Sequence, residues 1–259
     1  MLLATLSLLI NMILPHPYDA LHLGWMYRLL TAIADDAVLP LMLRFKGGTC
    51  AAMRGFIERF SVDLDFDLLE DAEMNIIRRH LEKVFQKVEL QIADQSQKVP
   101  QYYLKYPSKP DQRNTLRLDV TNLSPRSNQY EPVRFPEIDR IFHCQTLATM
   151  IANKLVALGE RFQRKGAIAA RDVFDLHTFF SHGYRYEPSI VQERTGKSLS
   201  VVLMETIALV ETHLNNTIID QDLNTLLPVK NFHHIRKILK QEILTFLRIE
   251  LERVNREAS

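Results

Sequence analysis

The segment Ser61-Val62-Asp63-Leu64-Asp65-Phe66-Asp67 carries the most regular alternation of apolar and polar residues in the chain. Side chains of a β-strand point alternately to its two faces, so every second residue shares a face. One face, extended back by one residue, takes the apolar residues Phe60, Val62, Leu64 and Phe66. The other face takes Ser61, Asp63, Asp65 and Asp67. The pattern predicts a strand with one apolar face and one face crowded with carboxylates.

Asp63 and Asp65 are the candidate ligands of a divalent cation. Alternate strand residues lie about 6.5–7 Å apart along the chain, and like charges held that close repel each other. A bound cation removes this repulsion, and Mg²⁺ favours one or two carboxylates together with water and substrate phosphates. One or two such ions would activate an attacking hydroxyl and stabilise a leaving pyrophosphate. The alternative is a solvent-facing strand whose aspartates keep a sheet edge soluble.

A glycine turn, Gly47-Gly48-Thr49, precedes Asp63 by about fourteen residues. It follows a short apolar run, Leu41 to Phe45, and opens a helical stretch, Cys50 to Glu58. Glycine lets the backbone approach a ligand closely, and the N–H groups at a helix start favour an anion. The order therefore predicts a phosphate-binding turn beside the metal site. A glycine pair by itself is also consistent with a plain tight turn.

Asp119 extends this candidate site. In Leu116 to Val120, apolar residues alternate with Arg117 and Asp119, which puts Asp119 on the polar face of a second strand. If this strand lies beside the first, Asp119 is placed to supply a third metal ligand or to activate an acceptor hydroxyl. An ordinary exposed aspartate is the equally simple alternative.

The remaining pattern divides the chain into an α/β part and a helical part. In the first part, helices are predicted at His22–Ile33 and Asp71–Lys87, and strands at Gln101–Tyr106 and Leu116–Thr121. A polar stretch, Arg126 to Arg134, follows. Beyond it, apolar spacing predicts helices at Gln145–Arg161, Ala169–Phe180, Leu199–Asn215 and His233–Arg256. We therefore predict an α+β fold, with an α/β core over residues 1–125 and a mostly helical C-terminal domain over residues 126–259.

The overall composition is that of an ordinary globular protein. The 259 residues are 46% hydrophobic and 24% charged with a net charge of +1, so no overall field points to nucleic acid. Two cysteines, Cys50 and Cys144, are too few for a disulfide framework or a cysteine-rich zinc site, and they favour a reducing cytoplasm. The apolar segment Met1–Leu14 is too short to span a membrane and lacks the positive start of a signal peptide. It is predicted as a helix or strand packed on the body.

The ordered set of motifs resembles a known family. Lys46-Gly47-Gly48-Thr49, followed by Arg59 to Phe66, is similar to the signature of AbiEii/AbiGii-type nucleotidyltransferases of the polymerase-beta-like nucleotidyltransferase superfamily. The downstream segments Ala152 to Leu158 and Arg171 to Leu176 are similar to the lysine and aspartate motifs of that family. The resemblance covers roughly residues 25 to 180. It implies a polymerase-beta-like core, a small mixed sheet with helices, whose active-site cleft is completed by the helical domain.

The resemblance also implies roles for individual residues. The nucleotide phosphates would be bound by Lys46, Gly47, Gly48 and Thr49, and Mg²⁺ by Asp63 and Asp65. Lys154 would meet the triphosphate, although a lysine beside an apolar helical stripe more commonly extends its charge to solvent. Asp172 and Asp175 lie one helical turn apart, and they would order Lys154 or Arg161, contact the nucleotide, or cap a helix. We take Asp172 as the candidate catalytic residue of the two, and Arg161 and Asp175 as candidate nucleotide contacts.

The resulting hypothesis is an Mg²⁺-dependent nucleotidyltransferase that moves a nucleoside monophosphate from an NTP to an acceptor hydroxyl and releases pyrophosphate. The resemblance further implies a toxin of a type IV toxin–antitoxin or abortive-infection system, with RNA such as tRNA as acceptor, an antitoxin partner and no membrane. Two alternatives stay open: nucleotidylation of a protein or small molecule, and a catalytically silent nucleotide- or RNA-binding module. Retention of the aspartates, the glycines and Lys154 argues against the silent module.

Overall fold

The computed structural model of the chain describes residues 12–69, 72–110, 112–122 and 124–257. These residues divide into two compact units. The sheet unit holds the described residues of Met1–Gly55, Arg59–Ser124 and Gln129–Gln145. The helical unit holds the described residues of Phe56–Glu58, Pro125–Asn128 and Thr146–Ser259. The predicted element at Met1–Leu14 lies almost entirely outside the described residues. Asp71, the first residue of the helix predicted at Asp71–Lys87, also lies outside them.

The sheet unit is built on a mixed sheet of seven strands within the described residues. In chain order the strands are β1 Leu43–Lys46, β2 Asp63–Leu68, β3 Gln91–Gln95, β4 Gln101–Lys105, β5 Thr115–Thr121, β6 Tyr130–Phe135 and β7 Arg140–Gln145. Their order across the sheet is β3-β4-β5-β2-β1-β7-β6. β2 pairs in parallel with β5 and antiparallel with β1, and β1 pairs in parallel with β7. The alternating segment is therefore the central strand.

The apolar face of β2 confirms the predicted alternation, but the strand begins later than the pattern suggests. Leu64 and Phe66 are buried, and the ring centroid of Phe66 lies 5.2 Å from that of Phe45 on β1. The strand starts at Asp63 rather than Phe60. The Val62 carbonyl lies 2.9 Å from Nε2 of the His22 ring. The His22 side chain thus takes the place that a neighbouring strand would have at Val62.

The helices of the sheet unit, within the described residues, are α1 Asp19–Ala34, α2 Leu39–Met42, α3 Gly47–Met53 and α4 Met74–Lys87. α1 and α4 confirm two predicted helices. The apolar run predicted at Leu41–Phe45 is divided between α2 and β1. Pro40 lies in the first turn of α2, where proline is favourable because the backbone N–H that it lacks is not needed for a helical hydrogen bond. The helix predicted at Cys50–Glu58 starts earlier and ends at Met53, since Gly55 has a positive φ of 72° that ends the helical run.

Three strands, β3, β6 and β7, have no counterpart in the sequence prediction. β3 is exposed along its whole length and β6 contains Pro132, so neither shows the alternation of an inner strand. Both lie at the edges of the sheet. β7 pairs with β1 and β6, so the sheet unit continues to Gln145. The domain boundary predicted between residues 125 and 126 is therefore corrected to Gln145, with Pro125–Asn128 belonging to the helical unit.

The helical unit confirms the four predicted helices and adds two short ones. Its helices are α5 Leu147–Lys165, α6 Ala170–Ser181, α7 Pro188–Thr195, α8 Leu199–His213, α9 Asn216–Leu223 and α10 Val229–Glu257. Side chains of Thr146, Ser198 and Asn215 cap the starts of α5, α8 and α9 by accepting backbone N–H groups. Among the described residues, no helix is both long and apolar enough to cross a membrane.

Candidate active site

The carboxylates of β2 and β5 share one face of the sheet. Asp65 is the cross-strand partner of Asp119, and Asp63 is the partner of Arg117. On the other side of β2, Lys46 is the partner of Asp65. Directly paired residues point to the same face, so the three aspartates lie together. The condition for the Asp119 prediction, that its strand lies beside β2, is met, and the chemical role of Asp119 stays a prediction.

Gly47 lies directly against the carboxylate of Asp65. It has a positive φ of 76°, and a Cβ built on it would lie 2.9 Å from both Cβ and Cγ of Asp65. Glycine alone adopts this conformation without strain and leaves this space free. Gly48 is also crowded, because a Cβ there would come within 2.8 Å of Ser61 Oγ and 2.9 Å of Arg59 Nη2. The two glycines thus bring the main chain of the turn against the start of β2.

Two of the predicted phosphate-binding side chains have partners inside the sheet unit. The buried Thr49 hydroxyl donates to the carbonyl of Asp63. The Lys46 ammonium lies 2.5 Å from Asp67 Oδ1. The Thr49 hydroxyl is therefore engaged within the sheet unit, and Lys46 reaches a phosphate by sharing or leaving Asp67. The nucleotide-binding roles of both residues stay predictions.

Asp67 is a buried anchor on the same face, and it is absent from the predicted site. Besides Lys46, it accepts hydrogen bonds on Oδ2 from the Tyr130 hydroxyl at 2.9 Å and from Gln145 Nε2 at 2.6 Å. Side chains of four adjacent strands, β2, β1, β7 and β6, thus meet at one carboxylate. The third aspartate of the alternating segment is its sequence signal. Two of its donors lie on β6 and β7, which the sequence does not predict.

Arg117 forms a two-pronged ion pair with Asp119. Its Nε lies 3.1 Å from Asp119 Oδ1, and its Nη2 donates to Oδ2. The ring centroid of Tyr103, on β4, lies 5.7 Å from the guanidinium carbon. Burial lowers the pKa of Arg117, but Asp119, Asp63, Tyr103 and Asp65 together hold that pKa above its ordinary value. The guanidinium is therefore coupled electrostatically to all three predicted metal ligands.

The donor set fits a metal site that the substrate helps to complete. In the part of the chain that the structure describes, no group of three or more His, Cys, Asp or Glu side chains is arranged to hold a metal ion. Mg²⁺ does not require one, since it binds one or two carboxylates and fills its shell with water and substrate phosphates. Asp63 and Asp65, with the Gly47 main chain beside them, fit this pattern. Asp119 adjoins them but is held by Arg117.

A second charged cluster lies inside the helical unit. The Lys154 ammonium on α5 lies 2.9 Å from Asp172 Oδ1 and 2.9 Å from Asp175 Oδ2, both on α6. Arg161, also on α5, places Nε 3.0 Å from Asp172 Oδ2. Of the roles that the sequence leaves open, both aspartates are positioned to order Lys154. Asp172 in addition forms the ion pair with Arg161.

The cations of this cluster keep Asp172 ionised although it is 2% exposed. Burial alone would raise the pKa of Asp172, but Lys154, Arg161 and Arg171 outweigh burial and lower the pKa to about 2. Interior charges are tolerated when they are paired in this way. A phosphate that binds Lys154 would therefore compete with two buried carboxylates.

A family match covers most of the chain. Residues 28–228 match the family described as nucleotidyl transferase AbiEii toxin, type IV TA system, and this range includes both charged clusters. No curated protein matches the chain.

Solved structures share the fold. JHP933 from Helicobacter pylori has a TM-score of 0.54 at 18% identity, covering 94% of this chain and 99% of that one. MenT4, a nucleotidyltransferase toxin from Mycobacterium tuberculosis, has a TM-score of 0.50 at 16% identity, covering 91% of this chain and 87% of that one. These likenesses confirm the predicted nucleotidyltransferase fold with its helical C-terminal region.

Replacing Gly47 with alanine is expected to displace Asp65. A non-glycine residue in the left-handed region costs about 1–2 kcal/mol, and the new Cβ also collides with the Asp65 carboxylate. Gly55→Ala is the matched control, because Gly55 has a φ of 72° but nothing within 4 Å of a built Cβ. Urea unfolding followed by circular dichroism should show a larger loss of stability for Gly47→Ala. Equal losses would mean that Gly47 is not pressed against Asp65.

The low pKa of Asp172 is expected to make the folded state sensitive to acid. Because folding lowers this pKa from 3.8 to about 2, Asp172 stabilises the protein above pH 3.8 and loses that contribution as the pH falls through 2. The contribution is about 2 kcal/mol. Asp172→Asn should therefore flatten the pH dependence of urea unfolding in this window, while lowering stability at neutral pH. The control Asp220→Asn removes an exposed carboxylate paired with Arg236 and should flatten it less. Equal flattening in both variants would contradict the assignment.

Proposed function

The chain belongs to the AbiEii family of nucleotidyltransferase toxins of type IV toxin–antitoxin systems, and from this premise we propose that it transfers a nucleoside monophosphate from an NTP to a hydroxyl group of RNA. Family membership makes the chain a nucleotidyltransferase with an NTP substrate and an antitoxin partner. The metal, the acceptor and the mechanism are the proposal. The observation that carries it is the grouping of Asp63, Asp65 and Asp119 on one face of two parallel strands, beside the Gly47 turn.

Mg²⁺ is the proposed metal, held by Asp63 and Asp65 and by the phosphates of the NTP. When bound, it would offset the charge of the triphosphate and of the departing pyrophosphate. The backbone N–H groups of Gly47 and Gly48 would hold the phosphates, because the absent side chains let the main chain come close. In the transfer step, the acceptor oxygen bonds to the α-phosphorus. The bond from that phosphorus to the bridging oxygen of pyrophosphate breaks.

Asp119 is proposed to take the proton of the acceptor hydroxyl on a carboxylate oxygen. Its side chain is 23% exposed, which leaves it within reach of a substrate. Pairing with Asp65 across the parallel strands puts this base beside the proposed metal ligands. Arg117 hydrogen-bonds both Asp119 oxygens, which lowers their basicity, so release of one of them would make Asp119 a stronger base.

The cluster of the helical unit is proposed to bind the triphosphate. Lys154 would supply the positive charge, Asp172 and Asp175 would hold its ammonium in place, and Arg161 would add a second cation. Charge-assisted hydrogen bonds of this type to phosphate are among the stronger ones in proteins. The support is the family match across α5 and α6, together with the pairing of Lys154 with two aspartates. The contribution of this domain to the active site stays a prediction.

RNA such as tRNA is the proposed acceptor because the sequence motifs resemble those of nucleotidyltransferase toxins. Nucleotidylation of a protein or small molecule is the second candidate, and it would use the same carboxylates. Membership of an enzyme family argues against a catalytically silent module. The acceptor is therefore the point that an experiment must decide.

Asp63→Asn should abolish transfer of label from an α-labelled NTP to total cellular RNA in the presence of Mg²⁺. The amide keeps the shape of the carboxylate but removes the charge that binds the cation. Asp94→Asn, on the exposed edge strand β3, is the matched control and should keep full activity. Each NTP is assayed separately, with and without EDTA. Label in protein instead of RNA would move the acceptor to polypeptides, and transfer that survives both Asp63→Asn and EDTA would overturn the metal mechanism.

Lys154→Gln combined with Asp175→Asn should raise the KM for NTP at least tenfold. The pair of substitutions removes one charge of each sign, so no uncompensated carboxylate is left buried. A lost contact between ammonium and phosphate would account for a factor of about ten or more. Lys165→Gln, which neutralises an exposed lysine in the last turn of the same helix, should leave KM unchanged. An unchanged KM in the double variant, with normal thermal unfolding, would assign Lys154 a purely structural role.

A further inference from the structure

A positively charged side chain, that of Arg117, lies on the sheet face that carries the candidate metal site. Arg117 is the cross-strand partner of Asp63, and its guanidinium bonds both carboxylate oxygens of Asp119. The side chain is 32% exposed, so it lies on the accessible face of the sheet and not in the core. Asp63 and Asp65 add to the electrostatic stabilisation of its charge. Arg117 is thus the counter-charge of the acidic face.

This pairing conflicts with the use of Asp119 in the reaction. A guanidinium fork bound to a carboxylate engages both of its oxygens. While the fork is closed, one lone pair on each Asp119 oxygen is taken and the guanidinium offsets its charge, so Asp119 is a weaker ligand for a cation at Asp63 and Asp65 and a weaker base. The positive charge of Arg117 also opposes a second cation at close range. Binding of a divalent cation and the closed Arg117–Asp119 pair thus compete.

Tyr103 offers the guanidinium a place beside the site. It is the cross-strand partner of Arg117 on β4, and its ring centroid lies 5.7 Å from the guanidinium carbon. Its side chain faces the accessible side of the sheet and is 37% exposed. A cation over an aromatic ring is stabilised even at exposed sites. The guanidinium can therefore leave Asp119 without leaving the sheet face.

We propose that Arg117 is a positioning residue that holds Asp119 in a closed pair until a divalent cation displaces it, after which Tyr103 retains the guanidinium and Asp119 turns to the reacting groups. This inference rests on the proposed metal-binding role of Asp63 and Asp65. It assigns the order of events at the site: the cation enters first, Arg117 releases Asp119, and only then is the proposed base available.

The test is direct titration of the full-length chain with Mn²⁺ as a paramagnetic stand-in for Mg²⁺, without NTP. Electron paramagnetic resonance measures the free ion, so the readout is metal affinity and not activity. Arg117→Gln removes the competing charge and should tighten Mn²⁺ binding by roughly tenfold. Arg117→Lys keeps the charge but loses the fork, and it should tighten binding by a smaller factor. Lys105→Gln removes an exposed charge on the neighbouring strand β4 and should change nothing.

A double-mutant cycle separates release of Asp119 from a general charge effect. In an Asp119→Asn background no carboxylate has to be released, so the gain from Arg117→Gln should shrink. A gain of the same size in both backgrounds would overturn the proposal, as would unchanged affinity in Arg117→Gln. Arg117→Lys decides the matter if thermal unfolding shows that Arg117→Gln does not fold.

Asp63→Asn distinguishes failure of this inference from failure of the proposed function. Mn²⁺ binding that depends on Asp63 but ignores Arg117 would overturn the role of Arg117 alone. Binding that is absent from every variant would overturn this inference, which has the cation enter first, and binding that is indifferent to Asp63 would overturn both this inference and the metal site on which it rests.

Discussion

Repulsion among carboxylates on one face of the central strand is the constraint on which the rest of the site depends. Asp63, Asp65 and Asp67 alternate along β2, and parallel pairing adds Asp119 from β5. Charges so placed must be offset by cations or hydrogen-bond donors, and the need grows with burial. The strand order meets this need on both sides of β2. β1 brings Lys46 to Asp67, and β5 brings Arg117 to Asp119.

Burial separates the structural aspartate from the candidate catalytic ones. Asp67 is 2% exposed and accepts from three side chains on neighbouring strands, which fixes it as an anchor. Asp63 and Asp65, nearer the start of the strand, are only half-buried. Beside Asp65 the neighbouring residue is Gly47, which brings main chain but no side chain to that place. The same alternation therefore yields a buried anchor at one end and half-buried carboxylates at the other.

The helical unit meets the same constraint at a higher energetic cost. Asp172 and Asp175 are almost completely buried, and Lys154 and Arg161 offset their charge. Buried ion pairs of this kind commonly add little net stability, since apolar residues of similar volume would do as well or better. Perturbed charges in such a setting are typical of functional sites. The cluster is therefore in keeping with the proposed binding of an anionic substrate.

The sequence predicts the features that depend on residues close together in the chain, and it misses those that depend on distant residues. The alternation of apolar and polar residues predicts β2, β4 and β5, and helical periodicity predicts the six longer helices of the two units. The alternation also places Asp63, Asp65 and Asp119 on polar faces. It misses the edge strands β3 and β6, because an exposed or proline-containing edge strand carries little alternation, and it misses the inner strand β7, whose apolar Ile141 is exposed beside the buried Phe142. The donors to Asp67 are missed with them. Pairing of Asp65 with Asp119 is non-local, and only the parallel register of β2 and β5 establishes it.

One local rule nevertheless explains the charges that β2 and β5 bring to the candidate metal site. A spacing of two puts Asp63 beside Asp65, which is repulsive, and Arg117 beside Asp119, which is attractive. Parallel pairing then sets these two pairs side by side, with Asp63 opposite Arg117 and Asp65 opposite Asp119. Three carboxylates and one guanidinium leave two net negative charges, which a single divalent cation cancels. Arg117 therefore lowers the negative charge that a bound cation has to offset at these four residues.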